Sequence, residues 1–329
     1  MSKVVRFYEH GGPDVLKIED VPERQPGPEE VRIRVKAIGL NRAEIMFREG
    51  KYLEPPDSFP TTLGYEASGI VELAGSKSSF KPGDKVSTIP AFSMSKYGVY
   101  GESAIVPARA VARYPENLSF EQAASIWMQY LTAYGALVEI GKLRSGQPVV
   151  ITAASSSVGY AAIQLCKALG AIAIATTRGR GKRQSLLDAG ADFVIVTDEE
   201  NLADQVLIHT NGHGADICFD PVAGPMLESL AKAAAYGGVI FEYGALSMEK
   251  TPFPLFHALK KALTVRGYTL FEITSDSQKL AKAREYVYSA LQSGKLSPVI
   301  DRTFDLNNIA EAHKYMEANQ QNGKIVVVV

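Results

Sequence analysis

The alternation of apolar and polar residues separates the chain into two regions with different predicted structures. In the first region, residues 31–37 alternate apolar and charged side chains, which is typical of a half-buried strand. Turns containing proline or glycine surround this segment, at residues 11–13, 26–28, 55–56 and 82–84. Short strands between such turns predict a small β-barrel that is closed or strongly curved.

Beyond residue 117 the pattern changes to alternating helices and strands. Ser119 and Gln122 have the spacing of a capping box, and a helix is predicted over residues 121–138. The strands predicted after it cover residues 149–153, 172–176, 193–196, 217–220 and 239–243, with 264–270 as a candidate sixth strand. This rhythm predicts an α/β domain with a parallel, doubly wound sheet.

The last sixty residues predict two helices and a strand. Residues 280, 283, 287 and 291 have helical spacing before Gly294, and residues 309, 312 and 316 repeat that spacing. The apolar tail, residues 325–329, predicts a buried strand. We expect this strand to return to the first domain, because the second sheet is complete without it.

Composition excludes several classes of function. The 329 residues contain 35 Lys and Arg against 36 Asp and Glu, so no charge excess favours nucleic acid or an anionic membrane. No apolar run approaches the roughly 18 residues that span a bilayer, and the N-terminus does not resemble a signal peptide. The two cysteines, Cys166 and Cys218, indicate neither a zinc cluster nor a disulfide framework. We expect a cytoplasmic protein of two domains.

A turn of small residues follows the strand at 149–153. Ser155, Ser156, Ser157, Val158 and Gly159 lead into a helix predicted over residues 160–169. Small residues at this place allow the backbone to approach a dinucleotide pyrophosphate at the helix N-terminus. The turn departs from a strict glycine pattern, and an ordinary Ser-capped helix is the alternative interpretation.

The next strand ends in a basic segment, residues 177–183. A carboxylate there would favour NAD, but the segment contains four cations and no acid. This composition suits the 2′-phosphate of NADPH. We predict Arg178 as the main contact, with Lys182 and Thr177 beside it. A solvated basic loop is the alternative.

Motifs spread over nearly the whole chain carry a family resemblance. They are residues 64–71 (Gly-Tyr-Glu-Ala-Ser-Gly-Ile-Val), Gly75, residues 80–86, the group Asn41 to Glu44 with Arg48, Gly50 and Tyr52, residues 129–134 and residues 323–326. In this order they resemble the medium-chain dehydrogenase/reductase family. Within it, the resemblance is to the zinc-free quinone oxidoreductase branch, the zeta-crystallin-like proteins.

The resemblance implies a domain organisation. Residues 1–122 and 269–329 would form a GroES-like catalytic domain, and residues 123–268 an inserted Rossmann domain that binds NADPH. The active site would lie in the cleft between them. The sixth strand would pair across a two-fold axis to make a homodimer.

The resemblance also argues against a metal. The positions of the Cys, His and Cys ligands of zinc alcohol dehydrogenases correspond to Asn41, Tyr65 and Met128, which are poor zinc ligands. No cysteine precedes Cys166, so a four-cysteine structural site is missing as well. The five histidines form no ligand-spaced cluster.

Reduction without a metal favours conjugated acceptors, because the incoming charge spreads over an enolate. By resemblance, Asn41 and Thr132 would lie beside the nicotinamide, and Tyr52 and Tyr65 would donate to the substrate oxygen. Packing at the domain edge is the alternative role for both tyrosines. Phe92, in the apolar segment 92–100, and Met128 are candidate substrate contacts, although that segment could equally be a surface loop. Further cofactor contacts by resemblance are Pro221, Val222, Tyr243, Gly244 and Lys324.

These predictions lead to one main hypothesis and two alternatives. The main hypothesis is an NADPH-dependent, metal-independent reductase of a quinone or of an α,β-unsaturated carbonyl such as an enone or 2-alkenal. Its partner would be a small hydrophobic molecule. The alternatives are an enoyl-thioester reductase and a non-catalytic NADPH-binding sensor or structural protein.

Overall fold

The computed structural model describes all 329 residues, which divide into two compact units. The first unit is Met1–Met128 with Pro298–Val329, and the second is Gln129–Ser297. The strands are β1 Ser2–Arg6, β2 Lys17–Val21, β3 Glu30–Gly39, β4 Glu66–Ala74, β5 Lys85–Thr88, β6 Ser103–Pro107, β7 Val111–Ala112, β8 Pro148–Ile151, β9 Ile172–Thr177, β10 Phe193–Val196, β11 Ala215–Asp220, β12 Ala234–Glu242, β13 Thr264–Gly267, β14 Ile300–Asp305 and β15 Lys324–Val328. The α-helices are α1 Arg42–Arg48, α2 Phe120–Ala123, α3 Trp127–Tyr134, α4 Ser157–Leu169, α5 Arg183–Asp188, α6 Leu202–His209, α7 Met226–Ala233, α8 Leu255–Lys261, α9 Phe271–Thr274, α10 Ser277–Gln292 and α11 Ile309–Glu317.

The first unit is built around β3, which forms antiparallel pairs with β4, β6 and β15. The predicted alternation in β3 is confirmed, because Val31, Ile33 and Val35 are buried while Arg34 on the other face is exposed. The C-terminal strand β15 lies in this sheet, between β3 and β14. The prediction that the chain end returns to the first domain is therefore confirmed.

The second unit contains a six-stranded parallel sheet in the order β10-β9-β8-β11-β12-β13. The chain runs outward from β8 to β10, then crosses to β11 and runs outward to β13. Every predicted strand is present, with ends shifted by a few residues. The direction of winding reverses between β8 and β11, which is the place where open parallel sheets bind ligands, outside the carboxyl ends of the strands.

The helix predicted over residues 121–138 is wrong as a single element. The Ser119–Gln122 capping box is present, but α2 ends at Ala123 and α3 begins at Trp127. Two hydrogen bonds, to residues of β4 and β5, fix the backbone at the start of α3 and so keep the two helices separate. The Met128 amide donates to Glu66 Oε1 (2.9 Å), and the Trp127 indole N–H donates to Ser87 Oγ (2.8 Å). Local periodicity contains no information about such partners.

The two C-terminal helices are present as predicted. Asp276 caps α10, accepting hydrogen bonds from two backbone amides, and Gly294 after its end has a positive φ of 73°. The division of the structure places residues 269–297, including α9 and α10, with the second unit, whereas the resemblance placed them in the first. No helix in the structure is both long and apolar enough to cross a bilayer.

Candidate active site

The serine-rich turn lies at the carboxyl end of β8, beside the point where the winding reverses. Ser156 caps α4, its Oγ accepting a hydrogen bond from the Gly159 amide (3.1 Å). A Cβ on Gly159 would overlap the Ala154 backbone, so the helix starts directly against the turn. The helix is thus Ser-capped, and it also starts where a pyrophosphate is expected. The sequence left open a pyrophosphate-binding turn and an ordinary Ser-capped helix, and the two are compatible in this structure. Cofactor binding by residues 155–159 stays a prediction.

Lys182 connects the basic segment to this turn, because its Nζ lies 3.4 Å from Ser155 Oγ. Arg180 is engaged elsewhere, because its Nε and Nη2 donate to the carboxylate of Glu199 at 2.6–2.8 Å. Arg178, directly after β9, is exposed and makes no ion pair. The pairing with Glu199 was not predicted, since that residue follows a different strand.

Two acids that the sequence analysis overlooked lie beside each other at the same edge. Asp220 ends β11 and is in register with Glu242, which ends β12. Asp220 accepts hydrogen bonds from the Thr152 hydroxyl and from the amides of Val222 (3.1 Å) and Ala223 (2.7 Å). A signal was present in the sequence, because both acids fall at the ends of predicted strands that share one edge.

Tyr243 and Gly244 continue the chain from Glu242. The Tyr243 ring stacks on Phe219 with centroids 4.0 Å apart, and its buried hydroxyl has no hydrogen-bond partner. Burial raises the pKa of Tyr243 well above its ordinary value, so the hydroxyl stays protonated. It is therefore an available donor at this edge.

In the first unit, a buried network surrounds Asn41. Lys324 Nζ donates to Asn41 Oδ1 (2.6 Å) and to Glu66 Oε2 (2.5 Å), and the side chains of Lys324 and Glu66 are each 1% exposed. The Asn41 amide donates to Gly39 O (3.1 Å) and Glu44 Oε1 (3.2 Å). Both amide hydrogens of Asn41 are thus used, and the amide is held in one orientation.

Glu44 links Asn41 to Tyr65. Its carboxylate accepts hydrogen bonds from the backbone amides of Asn41 (2.7 Å) and Tyr65 (3.2 Å). Burial raises the pKa of Glu44 to about 7, and nearby Lys324 and these donors oppose the shift only in part. The Asn-x-x-Glu spacing signals a capping box at α1, but not the contact with Tyr65.

The two candidate tyrosines are brought together with Phe92. The Tyr52 and Tyr65 rings lie 6.3 Å apart, and the Tyr65 and Phe92 rings lie 5.6 Å apart. Burial raises the pKa of Tyr52 to about 12 and raises the pKa of Tyr65 as well. Both phenols are therefore protonated at neutral pH and able to donate.

Comparison with known proteins agrees with this arrangement. Residues 27–116 match the family described as "Alcohol dehydrogenase GroES-like domain", and residues 157–285 match "Zinc-binding dehydrogenase". The quinone oxidoreductase of Pseudomonas aeruginosa is 32% identical over 330 residues, covering 100% of each chain. This chain belongs to the quinone oxidoreductase family.

Solved structures resemble the whole chain. Escherichia coli quinone oxidoreductase complexed with NADPH has a TM-score of 0.91 and 29% identity, covering 99% of this chain and 100% of that one. A structure described as an NAD-dependent alcohol dehydrogenase has a TM-score of 0.92 and 32% identity, covering 99% of each chain. The predicted GroES-like and Rossmann folds are confirmed.

The zinc in the second family's name does not fit the residues of this chain. Asn41 Oδ1 already faces the ammonium group of Lys324, which would repel a metal cation. Tyr65 is a phenol that burial keeps protonated, and the third position, Met128, offers only a thioether.

We predict that Lys324→Met lowers the free energy of unfolding by about 3–5 kcal/mol, because it leaves Glu66 buried without its cation. Urea denaturation can be followed by fluorescence of Trp127, the only tryptophan, which is buried in the same unit. The control is Lys77→Met, which removes an exposed pair with Glu29 and should leave the unfolding midpoint unchanged. Equal midpoints for the two variants would contradict the prediction.

Proposed function

We propose that this protein is an NADPH-dependent, metal-independent oxidoreductase that reduces a quinone or an α,β-unsaturated carbonyl. The observation that carries the proposal is the pair Tyr52 and Tyr65, two protonated phenols beside Phe92 at a site whose residues do not suit zinc. Family membership supports the reaction class. We place the reaction in the cytoplasm, in keeping with the two free cysteines.

The cofactor preference rests on the segment after β9. NADPH differs from NADH by the 2′-phosphate, and this segment offers the exposed Arg178 and the turn-contacting Lys182. In the same segment, Arg180 pairs with Glu199. The NADPH complex of the E. coli relative points the same way, and the NAD-dependent neighbour makes the choice of cofactor worth measuring directly.

Bound NADPH supplies the hydride. The chain's own residues then have two tasks, to hold the acceptor and to stabilise the charge that develops on its oxygen. A donor fixed in advance is effective here because it needs no reorganisation during the reaction. Tyr52 and Tyr65 provide such donors, and the Lys324 and Glu44 contacts fix the orientation of Asn41 beside them.

The reaction is tested by the loss of reduced-nicotinamide absorbance in the presence of a chelator, with NADPH or NADH and matched quinones and enones. We expect turnover with NADPH, reduced about 100-fold in kcat/KM by Tyr52→Phe with unchanged affinity for NADPH. Tyr8→Phe, at an exposed hydroxyl, is the control. NADPH binding without turnover of any of these acceptors would contradict the proposal and would favour a thioester substrate or a non-catalytic role.

Arg178→Ala tests the 2′-phosphate contact. Loss of a charge-assisted hydrogen bond of about 1.5–3 kcal/mol should raise the Kd for NADPH roughly 10- to 100-fold and leave the Kd for NADH unchanged. The matched control is Arg180→Ala on the same loop, whose guanidinium is already held by Glu199. Equal losses for both cofactors in Arg178→Ala would refute this contact.

We also propose a homodimer formed through the edge strand β13. This strand pairs only with β12, and its other edge is open. Apolar side chains are exposed nearby in sequence, at Phe253, Leu255, Phe256 and Leu259, with Phe256 83% exposed. A two-fold axis would pair two such edges and bury these side chains.

Sedimentation equilibrium tests this assembly. We expect a dimer for the wild-type protein and a monomer for Phe256→Glu, because a charge would then be buried in the interface. Leu53→Glu, at an exposed leucine of the first unit, should remain dimeric. A wild-type monomer at micromolar concentration would rule the dimer out.

A further inference from the structure

The carboxyl edge of the parallel sheet contains a pair of acids that the proposed reaction does not use. Asp220 and Glu242 end adjacent strands in register, on the side of the sheet where the order reverses next to β8. We propose that they form a positioning pair that maintains the cofactor-binding arrangement of the turns at 221–224 and 243–244 only while they share a proton. The inference rests on the proposed binding of NADPH.

Asp220 is the fixed member of the pair. It accepts hydrogen bonds from the hydroxyl of Thr152, directly after β8 and across the point where the winding reverses, and from two amides of the turn that follows β11. That turn has two successive residues with positive φ, Ala223 at 60° and Gly224 at 59°. Residues other than glycine rarely adopt this backbone, so the carboxylate stabilises a conformation that the turn would not adopt readily without it.

Glu242 is the member that carries the proton. Both of its carboxyl oxygens are buried and receive no hydrogen bond from a donor group, and Asp220 is its neighbour in register on β11. Two adjacent carboxylates cannot both ionise easily out of water. Burial and the neighbouring Asp220 raise the pKa of Glu242 to about 8, so at neutral pH Glu242 is the acid and Asp220 the acceptor.

The surrounding charged groups do not neutralise the pair. Burial and the acidic neighbours raise the pKa values of Cys218, on β11, and of Tyr243, directly after β12, so both stay neutral. On β13, Arg266 is paired with Glu272. The Lys261 ammonium donates to the carbonyls of residues 231, 232 and 234, at or just before the opposite end of β12. Thr152, directly after β8, has no charge.

Loss of the shared proton would therefore create two unscreened negative charges on facing strand ends. Directly opposed like charges destabilise a strand pair, and here each strand end leads into a turn with predicted cofactor contacts, Pro221 and Val222 on one side and Tyr243 and Gly244 on the other. The added charge also disfavours a ligand that carries phosphates. Both effects weaken cofactor binding as the pH rises.

The test is the Kd for NADPH, measured by cofactor fluorescence between about pH 7 and pH 9.5, a range in which the phosphates of NADPH do not titrate. For the wild-type protein we expect the Kd to rise on the order of 10-fold or more. Glu242→Gln keeps the shape and a donor but cannot ionise, so its Kd should change less than about twofold. Glu285→Gln, at an exposed position on α10, should follow the wild type.

Asp220→Asn provides a second variant in case Glu242→Gln does not fold. It removes the opposing charge, so its affinity should be lower throughout but flat over the same range. Thermal unfolding of the cofactor-free protein gives an independent measurement. Because folding raises the pKa of Glu242 from 4.5 to about 8, the unfolding midpoint of the wild type should fall relative to Glu242→Gln as pH rises through that interval.

The outcomes separate this inference from the proposed function. A wild-type affinity that does not change with pH, or a Glu242→Gln variant that weakens as the wild type does, overturns the proton-sharing pair alone. Absence of NADPH binding at every pH overturns the proposed cofactor and the pair together. An affinity for NADPH that falls at alkaline pH in the wild type and in Glu285→Gln, but not in Glu242→Gln, supports the inference.

Discussion

The first unit depends on one buried positive charge, the ammonium group of Lys324. It lies between Glu66 and Asn41, with Glu44 on the other side of the Asn41 amide, so that β4, the start of α1 and β15 meet at a single set of polar contacts. Buried ions are tolerated only when paired and hydrogen-bonded. The packing of three separate segments, and the orientation of the side chains proposed to act there, thus follow from one requirement.

The second unit also contains buried carboxyl groups, but it stabilises them by a different interaction. Both units bury two carboxyl groups close to residues proposed to act in catalysis or binding. In the first unit the ammonium group of Lys324 contacts Glu66 and the Asn41 side chain and offsets part of the cost of burying these acids. In the second unit no cation lies against the pair, and a proton held between Asp220 and Glu242 takes that role. The first arrangement thus depends on a third side chain, and the second depends on a proton.

Local sequence information predicted the elements well and the long-range contacts poorly. The period-two pattern in β3, the strand–helix rhythm of the second unit and the turn at 155–159 depend on neighbours in sequence, and all are present. The break before Trp127, the pairing of Arg180 with Glu199 and the meeting of Asp220 with Glu242 depend on partners from other strands. Such contacts exist only once the topology is known. The two acids could have been found by asking which charged residues end neighbouring strands.

The position of β15 has a consequence for synthesis of the chain. Strand β3 cannot pair with β15 until Val326 has been synthesised, because Gly39 pairs with Val326. At about 5–20 residues per second, that delay lasts tens of seconds, whereas the second unit is contiguous and is complete earlier. During the delay Glu44 and Glu66 lack the ammonium group that later offsets their burial. The nascent first unit therefore leaves one edge of β3 open beside two carboxyl groups that lack this partner, and an unpaired strand edge is open to aggregation until β15 occupies it.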